Sequence, residues 1–202
     1  MPIYKGGTKI GALKKGSINT KKAFKGSTLV FGKQVFEKTF TASGSITFPS
    51  SLLSLYVVVV GGGGNGAQGI VSGNLFWTGS GGGSGGCAKK TFSASEIAAL
   101  KGKNVSFTVG ANTQASVFQN MKANPGANGS QSIGASGGVG GTASGGDENI
   151  QGNQGGSSGG YYSGGGGAAS VWNGYGAGGA GGAGYNGGSA GTAGCVYIKY
   201  EY

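Results

Sequence analysis

Glycine occupies 51 of the 202 positions, and it recurs at every third residue through long tracts. Runs of this kind are Gly63, Gly66, Gly69; Gly134, Gly137, Gly140; Gly178, Gly181, Gly184, Gly187; and Gly188, Gly191, Gly194. Each glycine costs roughly 0.5–1 kcal/mol more to order in regular structure than alanine would. Summed over the chain, that exceeds the net stability of an ordinary domain. Such tracts are therefore disordered, or ordered by a packing that only glycine permits. Collagen is excluded, because Gly is not at every third position throughout and only three prolines are present. A period of three matches the extended left-handed helix with three residues per turn. That helix bonds nothing within itself, so its N–H and C=O groups need partners on neighbouring backbones. Only glycine lets those backbones come close enough. The tracts Gly61–Gly86 and Gly126–Gly194 thus predict polyglycine II-type helices packed side by side, with Ala, Ser, Asn, Tyr and Trp projecting outward. A floppy linker is the competing expectation. The period, the interspersed aromatics and the strands on both sides weigh against it.

The rest of the chain reads as all-β. Val35–Phe40 and Ser45–Phe48 have strand character. Leu55–Val60 is a continuous apolar, β-branched run of the kind that forms a buried strand. Ala88–Phe92 and Val105–Val109 follow, and Cys195–Tyr200 closes the chain with inward–outward alternation. Ser93 and Glu96 have capping-box spacing and open a short helix that runs through Leu100. Strands separated by glycine tracts rather than helices predict an antiparallel β-sandwich with polyglycine II-type excursions (residues 35–202). Residues 1–34 form a separate basic segment. There Tyr4-Lys5-Gly-Gly-Thr-Lys-Ile10 matches Phe24-Lys25-Gly-Ser-Thr-Leu-Val30. An aromatic, Lys, a Gly turn and β-branched residues predict a small β-hairpin element that docks onto a larger partner.

Charge and catalysis narrow the function. Fifteen lysines face five acids, and the formal charge is +10 without arginine or histidine. Nine of the lysines lie in residues 1–50. A basic arm suits a nucleic acid or an acidic surface, but the absence of Arg removes the commonest bidentate base contact, so no specific nucleic-acid readout is expected. Solvated lysines on strand faces are the plain alternative. No His exists to serve a Ser or Cys triad. Cys87 and Cys195 are expected as buried free thiols, although a pairing stays open. Asp147 and Glu148 adjoin in a loop, and Glu96 is committed to the cap. No metal, cofactor or catalytic site is expected. Gly64-Asn-Gly66-Ala-Gln-Gly69 fits a dinucleotide fingerprint after a strand, yet Ile70–Gly79 has no helical period to complete it. The start MPIYKGGTKIG carries no apolar leader, and Leu52–Val60 is far short of the ~20 residues of a membrane span. Synthesis in a cytoplasm without membrane insertion is the expectation.

Binding has better candidates. Phe76, Trp77, Tyr161, Tyr162, Trp172, Tyr175 and Tyr185 stand alone among small residues. Tyr, Ser, Gly and Asn together make adaptable contact loops. For Trp77 and Trp172 the alternative is that the rings cover an edge of the glycine core.

The order of elements resembles the glycine-rich domain of bacteriophage tail-fibre and tail-tip proteins. The resemblance rests on LYVVVVGGGG, then Lys-Lys-Thr-Phe-Ser, Leu100-Lys-Gly-Lys-Asn-Val-Ser-Phe-Thr-Val-Gly110, long Gly tracts, and the closing Gly-Cys-Val-Tyr-Ile-Lys-Tyr. It covers Val35–Tyr202, and the Lys-Gly-x-Thr repeats look like segments that precede such domains. The resemblance implies a virion component of the tail, assembled in the host cytoplasm. It further implies that the protein attaches to a host glycan or outer-surface protein without catalysis. Tyr4, Lys5, Phe24 and Lys25 are then the candidates for attachment to other virion proteins. Trimeric fibres are common in such particles, so a homotrimer enters the expectation, with no seam visible in the sequence. The alternative is a non-adhesive virion piece (decoration, neck or baseplate) that binds only other virion proteins. An ice-binding or cell-wall protein is disfavoured by the irregular aromatics, and a depolymerase by the lack of catalytic groups.

Overall fold

The computed structural model describes residues 3–5, 8–10, 13–15, 18–20, 23–25, 28–72, 75–132, 134–159 and 164–202. Six short strands come first: β1 (Ile3–Lys5), β2 (Thr8–Ile10), β3 (Leu13–Lys15), β4 (Ile18–Thr20), β5 (Ala23–Lys25) and β6 (Thr28–Phe31). They pair as three separate antiparallel hairpins, β1–β2, β3–β4 and β5–β6. The repeat is therefore ten residues long with three copies, where the aromatic-Lys-Gly pattern shows only two. The middle copy carries Lys14 where the others have Tyr4 and Phe24, so a search keyed on the aromatic misses it.

The remaining strands build two five-stranded antiparallel sheets and one two-stranded hairpin. They are β7 (Val35–Phe40), β8 (Gly44–Thr47), β9 (Ser54–Val60), β10 (Ile70–Ser72), β11 (Leu75–Trp77), β12 (Cys87–Thr91), β13 (Asn104–Thr108), β14 (Ser116–Phe118), β15 (Met121–Ala123), β16 (Ala143–Ser144), β17 (Glu148–Ile150) and β18 (Cys195–Glu201). One sheet has the order β17-β12-β9-β18-β7, the other β16-β15-β14-β13-β8, and β10–β11 is a separate hairpin. Period-two alternation turns Val105 and Phe107 of β13 inward, and Val196, Ile198 and Tyr200 of β18 likewise. They meet Leu55, Val57, Val59, Phe48, Phe118 and Met121 in one core between the sheets. Burying each large apolar side chain contributes about 1.5–3 kcal/mol. β9 is apolar at successive positions because both of its faces are covered: Val57 and Val59 face the core, Val58 and Val60 the opposite side. The helix α1 (Ala94–Leu100) begins with the expected capping box, Ser93 N–H donating to Glu96 Oε2 at 2.8 Å, and buries Ile97 and Leu100.

The glycine tracts leave the sandwich as continuations of its strands. Gly61 follows β9, Gly86 leads into β12, and Gly194 leads into β18. Residues 79–86 lie at the centre. The N–H groups of Gly79, Gly82 and Gly85 donate to Gly182, Gly179 and Gly176, each at 2.8 Å. Those of Ser80, Gly83 and Gly86 donate to Ser130, Ala127 and Asn124, and those of Gly81 and Ser84 to Gly156 and Asn153. In the other direction the carbonyls of 79–86 accept from Gly61, Gly64 and Ala67, from Gly138 and Gly141, and from Gly165 and Ala168. One segment thus bonds six neighbours, and every ladder steps by three residues. This is the period that the glycine spacing predicts, and it satisfies backbone groups that have no partner within their own segment. The approach is close enough to require glycine: a Cβ on Gly82 would stand 2.5 Å from the Gly64 carbonyl carbon and 2.7 Å from Asn65 O. Among the described residues no buried side-chain N or O lacks a hydrogen-bond partner.

Candidate functional site

The hydrogen-bond register fixes where each connection between glycine segments falls. At the end away from the sandwich, Gly69 N–H donates to Asn186 O (3.2 Å), Thr78 Oγ1 to Gly159 O (2.8 Å) and Ser158 N–H to Ala135 O (2.8 Å). Gln131 Nε2 reaches Gly69 O, and Gln68 Nε2 reaches Tyr185 O, both at 3.4 Å. Among the described residues, 70–72 with 75–78, 130–132 with 134–135, 158–159, and 182–188 are therefore gathered at this distal end. The β10–β11 hairpin is one of them, tied to the last by the Thr78–Ala183 bridge.

Two of the aromatic candidates meet there. Phe76 is 38% exposed and Tyr185 77% exposed, with ring centroids 6.3 Å apart at 86°, an edge-to-face pair. Gly184 has φ +56°, and its missing side chain leaves room for Phe76; a Cβ there would lie 3.3 Å from the ring. Trp77 is half-buried beside Phe76 on β11. Tyr161 and Tyr162 lie outside the described residues.

Trp172 and Tyr175 sit elsewhere. They belong to the connection 170–175, at the sandwich end of the glycine segments, where Gly85 N–H bonds Gly176 O. The loop is an Asn-Gly turn: Asn173 has φ +47° and Gly174 φ +81°, both left-handed, as a two-residue hairpin turn of mirror-image type needs. Ser170 Oγ locks it, accepting from Trp172 N–H at 3.0 Å and hydrogen-bonding the Tyr175 carbonyl. The indole stacks on Tyr175 (6.0 Å, 29°) and leans on Tyr197 (5.5 Å, 54°). Together with Tyr56 these rings cover Val58, Val60, Cys87 and Cys195 on the outer face of the sheet. Trp172 thus packs over the sheet and not over an edge of the glycine core. The Asn173-Gly174 dipeptide is the sequence signal that would have located this turn.

The titratable groups nearby are set by burial and pairing. Cys87 and Cys195 both stand opposite Val60, on strands flanking β9. Two strand spacings put them about 9–10 Å apart, beyond disulfide reach. Both are buried free thiols, and burial pushes them up to about 11 and about 12. Tyr197 donates to Glu37 Oε1 at 2.7 Å and is pushed up to about 12, first by burial and then by that bond. Glu37 is held below its usual range by the same bond and by Lys199. None of these is an acid–base pair facing a cavity. A groove of about 240 Å³ on the sandwich is lined by Phe92, Glu96, Ala99, Leu100, Gln119 and Asn120. Its one carboxylate, Glu96, is occupied by Ser93 and by Lys90 at 2.9 Å. Among the described residues no three His, Cys, Asp or Glu side chains group as metal ligands, and no helix is long and apolar enough to cross a membrane.

The attachment candidates keep equivalent places in their hairpins. Tyr4 pairs with Lys9 and Phe24 with Leu29, while Lys5 pairs with Thr8 and Lys25 with Thr28. The fold and site define a β-sandwich that carries a glycine-ordered bundle with an aromatic distal end. No family model matches the chain, and comparison with curated proteins gives no significant match.

Proposed function

We propose that this protein is a bacteriophage tail-fibre or tail-tip adhesin, which attaches the particle to the host surface without catalysis. The observation that carries the reading is the convergence of the described residues of four connections at the end of the glycine bundle remote from the sandwich, with Phe76 and Tyr185 exposed there. The three-residue ladders read as polyglycine II-type helices, which place that end about 25 Å from the sheets at ~3.1 Å per residue. A backbone-bonded bundle holds its loops before contact is made, so little entropy is lost on binding. The three N-terminal hairpins have only three or four residues per strand. Isolated two-stranded hairpins are marginal, which suits a segment that completes itself on another virion protein. Several copies per particle add avidity to weak single contacts.

The test is attachment of the purified protein to cells that the source particle infects, with Phe76→Ala and Tyr185→Ala as variants. Saturable binding by the wild type, weakened by either substitution, supports the reading. Absence of wild-type binding overturns it in favour of a virion component that contacts only other virion proteins; antibody label on the capsid or neck would say the same.

A further inference from the structure

All 20 charged side chains lie outside the glycine segments and their distal connections. Residues 61–86, 124–146 and 151–194 contain no Lys, Asp or Glu, and the chain has no Arg or His at all. Packing does not impose this. Ala127, Ser136, Val139, Gln151, Ser157 and Ala190 are exposed positions on these segments, where a charged head would remain in water. The sandwich carries its charge in the ordinary way, with ion pairs Lys33–Glu201, Lys89–Glu148, Lys90–Glu96 and Lys199–Glu37. The distal end is thus aromatic and amide-bearing, and it is electrically blank.

We propose that the distal end binds an uncharged carbohydrate, with Phe76 and Tyr185 lying against the C–H faces of hexose rings and Gln68, Gln131 and Asn186 bonding their hydroxyls. The proposal rests on the adhesin reading and gives it a ligand class. An ionised ligand group pressed against this surface would lose hydration and find no counter-charge, a net penalty. Protein partners are commonly selected by complementary charge, and this end offers none. A neutral sugar asks for what is present: apolar ring area for its C–H groups and amides that both donate and accept for its hydroxyls. The edge-to-face arrangement of Phe76 and Tyr185 gives two ring surfaces nearly at right angles, suited to successive sugar units that turn about their linkage.

The experiment offers the purified full chain two sets of immobilised oligosaccharides, one of uncharged hexoses and one bearing sialic or uronic acids. Binding to a member of the uncharged set is expected. It should be unchanged between about 0.05 M and about 0.5 M NaCl, because no charge is there to screen. It should also weaken about tenfold or more in Phe76→Ala or Tyr185→Ala, with the thermal transition of both variants kept. Binding confined to the acidic set, failure to bind any uncharged member, or indifference to both substitutions overturns the proposal. Attachment to host cells separates this from the adhesin reading. Attachment abolished by protease and resistant to periodate refutes the carbohydrate and leaves an adhesin for a protein receptor. No attachment of the wild type refutes both.

Discussion

Replacing Gly82 by alanine places a methyl group where the chain 61–67 already runs. The new Cβ would lie 2.5 Å from the Gly64 carbonyl carbon and 2.7 Å from Asn65 O, while ordinary contact begins at 3.4 Å. Backbone cannot swing aside as a side-chain tip can, so the neighbouring segment must retreat by about 1 Å. Three hydrogen bonds join the two segments: Gly61 N–H to Gly86 O at 3.0 Å, and Gly64 to Gly83 and Ala67 to Ser80 at 2.9 Å. A retreat of that size opens all three beyond bonding distance. Each is worth about 1 kcal/mol net and more where a group is left dry and unpaired, so the expected loss is about 3–5 kcal/mol. For a chain of this length that lowers the melting temperature by roughly 6–20 °C. Gly166→Ala is the internal control. It lies in the same bundle, yet nothing stands within 4 Å of its Cβ position and its φ is not left-handed. It should be neutral or stabilising by about 0.5 kcal/mol through the unfolded chain. Calorimetry or circular dichroism on the two variants decides the matter. Transitions within about 1 kcal/mol of each other would refute the claim that glycine is a packing requirement here.

Acid should expose the Ser93 cap. Lys90, then the Ser93 hydrogen bonds, holds Glu96 from its ordinary 4.5 down to about 2. A depressed carboxylate stabilises the fold above 4.5 and loses that contribution as pH falls towards about 2. The melting difference between wild type and Glu96→Gln should therefore be present at neutral pH and vanish over that window; a constant difference refutes the assignment. Cys87 and Cys195 should react with a thiol reagent at ~pH 8 only after denaturant is added, and intact mass should show no disulfide; rapid native labelling would contradict their burial. Gln119 holds φ +52° in the two-residue connection from β14 to β15, so Gln119→Gly should raise stability by about 1 kcal/mol in denaturant titration, and a loss would show that its side chain compensates the strain.

The sandwich was legible where side-chain pattern alone decides structure. The strands at Val35–Phe40 and Leu55–Val60 and the Ser93–Glu96 cap follow from alternation, β-branching and fixed spacing. The three-residue step of the ladders was legible because glycine marks it. What sequence does not carry is which glycine segment bonds which. Gly82 and Gly179 are joined by a 2.8 Å bond across a long stretch of chain, and neither has a side chain to signal its partner. The same blindness scattered the aromatic candidates. Trp172 and Phe76 look alike as lone rings among small residues, yet one lies against the sheet and the other at the far end. Their separation depends on segment register, which is set only when the bundle assembles. Strands as short as β14 to β17 have too few residues to show a period, and the middle N-terminal hairpin lacks the aromatic that marks its neighbours.

The direction of the ladders has a mechanical side. Their bonds run across the segments, whereas a pull between the distal loops and the sandwich would load the segments along their length. Tension between the distal loops and the sandwich then shears many parallel bonds together instead of opening them one after another. Such a joint resists force collectively, and it does so with backbone alone. Outward residues that bond no backbone can therefore change while the strength of the bundle stays the same.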